Sequence, residues 1–120
     1  MKLLREVLAA LLATAMLACG GAIASSTTNY SDQWWIPAED GWGASVLQQH
    51  DVLFIDLFVY DANSSATWFT AAVFLQAGAP AGHTVFTGDL YRTTGPYYGG
   101  AFNPAAVIRT RVGTLTFDAN

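Results

Sequence analysis

A chain of 120 residues holds one domain at most. With five basic residues and a formal net charge of −4, it lacks the basic footprint of a nucleic-acid binder. A single cysteine leaves no partner for a disulfide within the chain.

Residues 1–24 read as a signal peptide. Lys2 and Arg5 precede the apolar run Leu8 to Leu17, which is too short to span a bilayer. Ala22-Ile23-Ala24 offers small residues at the −3 and −1 positions of a cleavage site, so cleavage is expected after Ala24. The expected location is therefore secreted, periplasmic or cell-surface. Met16-Leu17-Ala18-Cys19 gives a minority alternative, a lipid anchor at Cys19, although Met16 and Leu17 fit that pattern poorly. After cleavage the chain carries three arginines, no lysine, no cysteine and a net charge of −5. This acidic balance argues against anionic membranes and polymers and favours neutral ligands or cations. Stability must come from packing. At this size only roughly 60–65% of the unfolded chain's surface becomes buried.

Residues 25–28 form a short polar leader, expected to be flexible. The remainder, 29–120, is expected to be a single β domain. Asn29 to Ile36 reads as a first strand stopped by Pro37, whose ring fixes the backbone and removes a donor. Ala38 to Gly43 is a turn. Ala44 to Gln49 and Val52 to Tyr60 are strands joined at Gln49-His50-Asp51. The second is apolar on nearly both faces, which predicts cover on both sides or a lined interior. Asp61 to Ser65 is a hairpin turn by composition, and Ala66 to Gln76 returns with Trp68 and Phe69 near Phe58 and Tyr60. After the small-residue loop Ala77 to Gly82, His83 to Thr94 forms a strand ended by Gly95-Pro96. Tyr97 to Ala106 is a Gly/Pro/aromatic loop. Val107 to Phe117 is the last strand, with Gly113, Leu115 and Phe117 on one face and Thr110, Val112, Thr114 and Thr116 on the other. No stretch after the signal helix has a helical period. The pattern predicts an all-β antiparallel meander curved into a small barrel or barrel-like sheet. Phe117-Asp118-Ala119-Asn120 echoes the strand-ending Tyr60-Asp61-Ala62-Asn63, which predicts a sheet incomplete at its C-terminal edge and lacking final strands.

Four blocks in order carry a resemblance. They are Trp34-Trp35-x-Pro37-x-Glu39-x-Gly41-Trp42-Gly43, Leu53-Phe54 to Phe58-Val59-Tyr60-Asp61, Thr67-Trp68, and Gly88-x-Leu90-Tyr91-Arg92-Thr93-Thr94-Gly95-Pro96. Together they resemble a domain of unknown function that recurs in secreted and surface-attached bacterial proteins, over nearly all of Asn29 to Asn120. The resemblance implies a β-rich extracellular module with no established activity and no catalytic or ligand residues to carry over. Ile36, Asp40 and Ser64 depart from the residues common there (Asn, Ser and Gly). Family members usually continue by two or so strands.

The aromatic cluster is the strongest candidate site. Trp34, Trp35 and Trp42, with Tyr97 and Tyr98 in their Gly-flanked loop, present flat faces with polar handles suited to a sugar ring or another neutral ligand. The competing reading, which ranks first for most of the cluster, is that these rings are the core of a small cysteine-free domain. Asp56, set between Phe54 and Phe58, must be paired with an arginine, neutral, or facing a wet lumen within a ligand cavity. Glu39 and Asp40 are adjacent acids but read as a solvated turn, because a glycosidase pair needs opposed carboxyls. Asp61-x-Asn63-x-Ser65 opens like a calcium loop yet has Ala66 and Ala72 at the glycine and closing-glutamate positions. His50 and His83 lie far apart in sequence without metal-ligand spacing, so neither a metal nor a cofactor is expected. No Gly-x-Ser-x-Gly turn is present.

Two functions follow. One is a non-catalytic secreted module binding a neutral glycan or small apolar molecule through its aromatic residues. The other is a structural or assembly module that pairs through an open β edge with itself or another surface protein. An enzyme ranks below both.

Overall fold

The computed structural model describes residues 25–120; the expected signal helix and Cys19 lie outside the described residues. Six strands form a single antiparallel meander sheet in chain order. They are β1 (Asp32–Trp34), β2 (Trp42–Gln49), β3 (Val52–Tyr60), β4 (Ala66–Leu75), β5 (Thr84–Thr94) and β6 (Ile108–Ala119). One 3₁₀ turn, Pro104–Ala106, interrupts the last loop and is capped by the Asn103 side chain.

Local chemistry explains the hairpins. Residues 49–52 form a tight turn with His50 at φ 54°, the positive angle that matches the right-handed twist of the flanking strands. At the β3–β4 turn, the Asp61 carboxylate accepts backbone N–H bonds from Asn63 and Ser65, while Ser64 takes φ 61°. This pins the register, with Phe58 opposite Trp68 and Leu57 opposite Phe69.

Alternation sends one residue set to the core. Val46, Leu53, Ile55, Ala71, Val73 and Phe86 are buried on one face. The partly buried Leu115 and Phe117 of β6 pack against them. That face is concave, because residues from the two sheet edges meet across it: the Trp34 ring on β1 stands edge-to-face against Phe117 on β6 at 5.4 Å. Tyr30 fills the trough, edge-on to both Phe86 at 5.8 Å and Phe117 at 5.5 Å. Its backbone N–H donates to the Gln48 side chain, and the leader is anchored where the Ser26 N–H donates to Asp51.

Two devices bend the sheet. Gly88 lies so close to β4 that a Cβ there would strike the Ala72 carbonyl oxygen and the Val73 Cα. In β6 the register slips between Leu90↔Gly113 and Tyr91↔Arg111, leaving Val112 as the extra residue of a bulge. The bulge also changes a face assignment. Gly113, Leu115 and Phe117 share one face as expected, and it is the core face, but the slip puts Thr110 on the opposite face from Thr114 and Thr116.

Of the two expected forms, a small barrel or a barrel-like sheet, the closed barrel is not formed. The six-stranded sheet is open: among the described residues β1 hydrogen-bonds in the sheet only to β2, and β6 only to β5. β1 is only three residues long, so the edges approach through side chains rather than backbone. Of the two expectations for β3, cover on both sides or a lined interior, the double cover is not seen among the described residues. Leu53 and Ile55 are buried, while Phe54, Phe58 and Tyr60 on the convex face are exposed, because a single curled layer has one interior. β6 runs on past the expected stop at Phe117, with Asp118 opposite Val85 and Ala119 opposite Thr84.

Candidate functional site

Three of the sequence-predicted residues converge. Trp34 ends β1, Trp35 and Ile36 follow it, and Trp42 opens β2 after the turn that Gly41 makes at φ 95°. Their side chains wall an apolar cavity of about 260 Å³ on the concave face. Ala44, Val46, Ile55 and Leu57 form its floor, and Leu115 and Phe117 of β6 form the far wall. No charged residue lines it. The Trp34 indole N–H donates to the Tyr30 carbonyl at 3.0 Å, and the Trp42 indole N–H donates to Glu39 at 3.2 Å. Both hydrogen bonds hold ring orientation while leaving apolar surface toward the cavity. Trp34 and Trp35 keep 41% and 64% of their surface exposed, so these rings are rim rather than closed core.

Tyr97 and Tyr98 do not join this cavity. Their rings lie 5.0 Å apart, 73% and 86% exposed, beside a separate cleft near Trp68. Asp56 joins neither. It sits half-buried opposite Ser45 on β2 and Thr70 on β4, positions that alternation assigns to the convex side. Among the described residues no side-chain hydrogen bond or ion pair reaches it. The arginine pair expected for it does not form with Arg92, Arg109 or Arg111; Arg111 Nε donates instead to Asp89 at 2.7 Å. That hydrogen bond holds the Asp89 carboxyl below the usual carboxylate range. Arg109 stacks over the Tyr91 ring at 4.9 Å, and the Tyr91 hydroxyl donates to Asp89.

The remaining candidates have local roles. Asp61 caps its own turn. His83 Nδ1 meets Asp118 at 2.9 Å and pins the start of β5 to the end of β6. Among the described residues no group of three His, Cys, Asp or Glu side chains is placed to hold a metal.

The sequence reading leaves Trp68 out of its candidate residues. Trp68 borders two adjoining clefts, one with Trp42, Phe58 and Tyr60, the other with Arg92, Tyr97 and Tyr98. The usable signal was period-two alternation across the β3–β4 hairpin, which places Trp68 on the solvent face with Phe58. Comparison with protein-family models, with curated proteins and with solved structures finds no match.

Proposed function

We propose that this chain is a non-catalytic secreted binding module that holds a small neutral apolar ligand in the concave cavity. The supporting observation is the cavity itself: three indoles, an aliphatic floor and no charge. Its volume of about 260 Å³ lies just below the roughly 300–1,000 Å³ typical of ligand pockets, which favours a compact apolar molecule over a glycan there. Secretion rests on the signal-peptide pattern of residues 1–24 and on the resemblance to a secreted bacterial domain. The test is titration of the purified chain with N-phenyl-1-naphthylamine, a neutral apolar dye whose emission rises on burial. Saturable binding is expected, lost in Trp42→Ala and in the cavity-filling Leu115→Trp, with circular dichroism unchanged. Absence of binding, or binding indifferent to both substitutions, would overturn the proposal.

One observation favours a second reading. β6 offers a twelve-residue edge whose outer side has no strand partner among the described residues. Such edges recruit strands, so the chain acts in assembly by pairing this edge with a second copy or another surface protein. Sedimentation should then show concentration-dependent dimers that are broken by prolines scanned across Thr114, Leu115 and Thr116. A monomer at all concentrations rules out pairing with a second copy.

A further inference from the structure

Asp56 lies in the middle of β3 on the convex face, and the pairing register fixes its neighbours there. Ser45 of β2 and Thr70 of β4 stand directly opposite it. Phe54 and Phe58 flank it along β3, since positions two apart share a face. One row away, Phe58 stands opposite Trp68 of β4. In the row on the other side, Phe54 stands opposite Leu47 of β2. All of these side chains rise from the same face. Directly opposite pairs have Cβ atoms about 4.5–5.5 Å apart, and diagonal ones are about 7–8 Å apart.

Burial sorts this patch into floor and walls. Ser45, Asp56 and Thr70 are half-buried, whereas Leu47, Phe54, Phe58 and Trp68 are between 46% and 54% exposed. Three oxygen-bearing side chains thus cross three strands as a polar row between two apolar rows. The charge of this row is uncompensated. The other charged groups that alternation assigns to the convex face lie on or beside β5 and β6, and they are engaged. Asp89 pairs with Arg111, Arg109 stacks over Tyr91, and Asp118 meets His83. Asp56 has no side-chain hydrogen bond or ion pair among the described residues. A carboxylate held among apolar side chains has lost part of its hydration, and a cation brought to it offsets that loss.

Charge complementarity selects the occupant. An anion is repelled by Asp56, and a fully apolar molecule leaves the three oxygens unsatisfied, each at a cost. A peptide strand finds no backbone to pair with, because β3 is already paired on both sides, by β2 and by β4. A primary ammonium on an apolar stem fits every feature. It has three N–H donors and no acceptor, which suits the Asp56 carboxylate between two hydroxyls. Its methylenes lie along apolar walls as a lysine stem does. The ring faces of Phe58 and Trp68 attract its charge. We infer that the convex face binds a linear primary alkylamine in its ammonium form. Asp56, Ser45 and Thr70 hold the head, and Phe58 and Trp68 hold the stem. This site is on the opposite face from the concave cavity and stands independently of the ligand proposed there.

Heteronuclear NMR titration of the purified chain with n-pentylammonium chloride tests it, read at the Trp68 indole N–H and the Thr70 amide. Saturable shifts are expected. Binding should be about fivefold weaker in Asp56→Asn, which keeps the side chain's shape, a loss of about 1 kcal/mol. It should also weaken in Trp68→Ala, and Trp68→Leu supplies a variant that keeps the sheet if that one does not fold. Raised salt should weaken it, since a partly exposed ion pair is screened. Asp89→Asn removes a convex-face acid that Arg111 already engages and should leave binding unchanged, as should Trp34→Ala in the concave cavity. Four results overturn the proposal. They are no saturable shift, binding unaffected by both Asp56→Asn and Trp68→Leu, equal binding of n-pentanol, which has the stem without the charge, and equal binding of n-pentyltrimethylammonium, which has the charge without N–H donors. Tighter binding of a lysine-bearing peptide than of the free amine would move the site to a protein partner and likewise overturn it.

Discussion

Trp34 and Phe117 belong to strands at opposite edges of the sheet, yet their rings meet edge-to-face at 5.4 Å. A flat sheet of six strands would hold them some five strand spacings apart, about 24 Å. The contact therefore measures how far the sheet curls. Phe117 also touches Tyr30 and lies 6.3 Å from Phe86, so one side chain of β6 joins the segment before β1, β1 itself and β5. The edges are held by aromatic packing where backbone closure is absent.

Phe117→Ala should therefore destabilise the chain by about 2–4 kcal/mol, near the lower part of the range for large aromatic truncations, because Phe117 is only partly buried. Trp34→Ala should cost less. The double variant should show a coupling of roughly 0.5–1.5 kcal/mol, as expected for aromatic pairs in contact. Urea denaturation of the four proteins measures this, and strict additivity would mean that the two rings do not interact.

Two glycines give opposite expectations. Gly88→Ala places a methyl against the Ala72 carbonyl and Val73 Cα, backbone atoms that cannot step aside cheaply, and should cost about 1–3 kcal/mol. Gly113→Ala meets nothing within 4 Å and should be neutral or stabilising by up to about 1 kcal/mol. Melting temperatures of the two single variants decide it. Similar losses in both would mean that glycine flexibility, rather than the close approach to β4, is what the fold uses at Gly88.

Ser64 holds φ 61° in the β3–β4 turn, a left-handed conformation that costs a side-chain-bearing residue about 1–2 kcal/mol. Ser64→Gly relieves this but gives the unfolded chain more freedom, so the net gain should be roughly 0.5–1 kcal/mol. A rise in the urea midpoint with an unchanged denaturant slope is the expected signature. A fall in the midpoint would show that the serine side chain contributes a contact outweighing the strain.

The Asp89–Arg111 pair predicts a pH dependence of definite sign. The Arg111 hydrogen bond lowers the Asp89 pKa, so the folded state binds this proton less readily than the unfolded state. Its contribution is present above the ordinary carboxylate value, near pH 4, and is lost as pH falls through the lowered folded value. Asp89→Asn should therefore lower stability at neutral pH and flatten the acid limb of the stability profile. The effect should be small and salt-sensitive, because both side chains are largely exposed. An acid limb identical to that of the parent chain would remove Asp89 from the account.

The strands were legible because their signals are local. β3 runs from Val52 to Tyr60 as alternation and the flanking turn residues predict, and Asp61 caps the turn that its composition announces. Period two also put Gly113, Leu115 and Phe117 together on one face, as the structure has them, since each strand's pleat is a property of its own backbone. At Thr110 the same reasoning failed, because the extra residue at Val112 slips the pairing and no residue type marks such a bulge.

What the sequence determined by itself, then, is an antiparallel meander with its hairpins and most of its facing, all consequences of short-range torsional preference and alternation. What only the tertiary structure decided is the curl. Close approach at Gly88, the slip at Val112 and the wedge of Tyr30 bring Trp34 to Phe117 without closing the backbone. The same curl gathers Trp34, Trp35 and Trp42 at a cavity while leaving Tyr97, Tyr98 and Arg92 in a cleft beside Trp68. The physical reason is that curvature and closure depend on backbone geometry summed over all the strand pairs, and no single strand's sequence carries that sum.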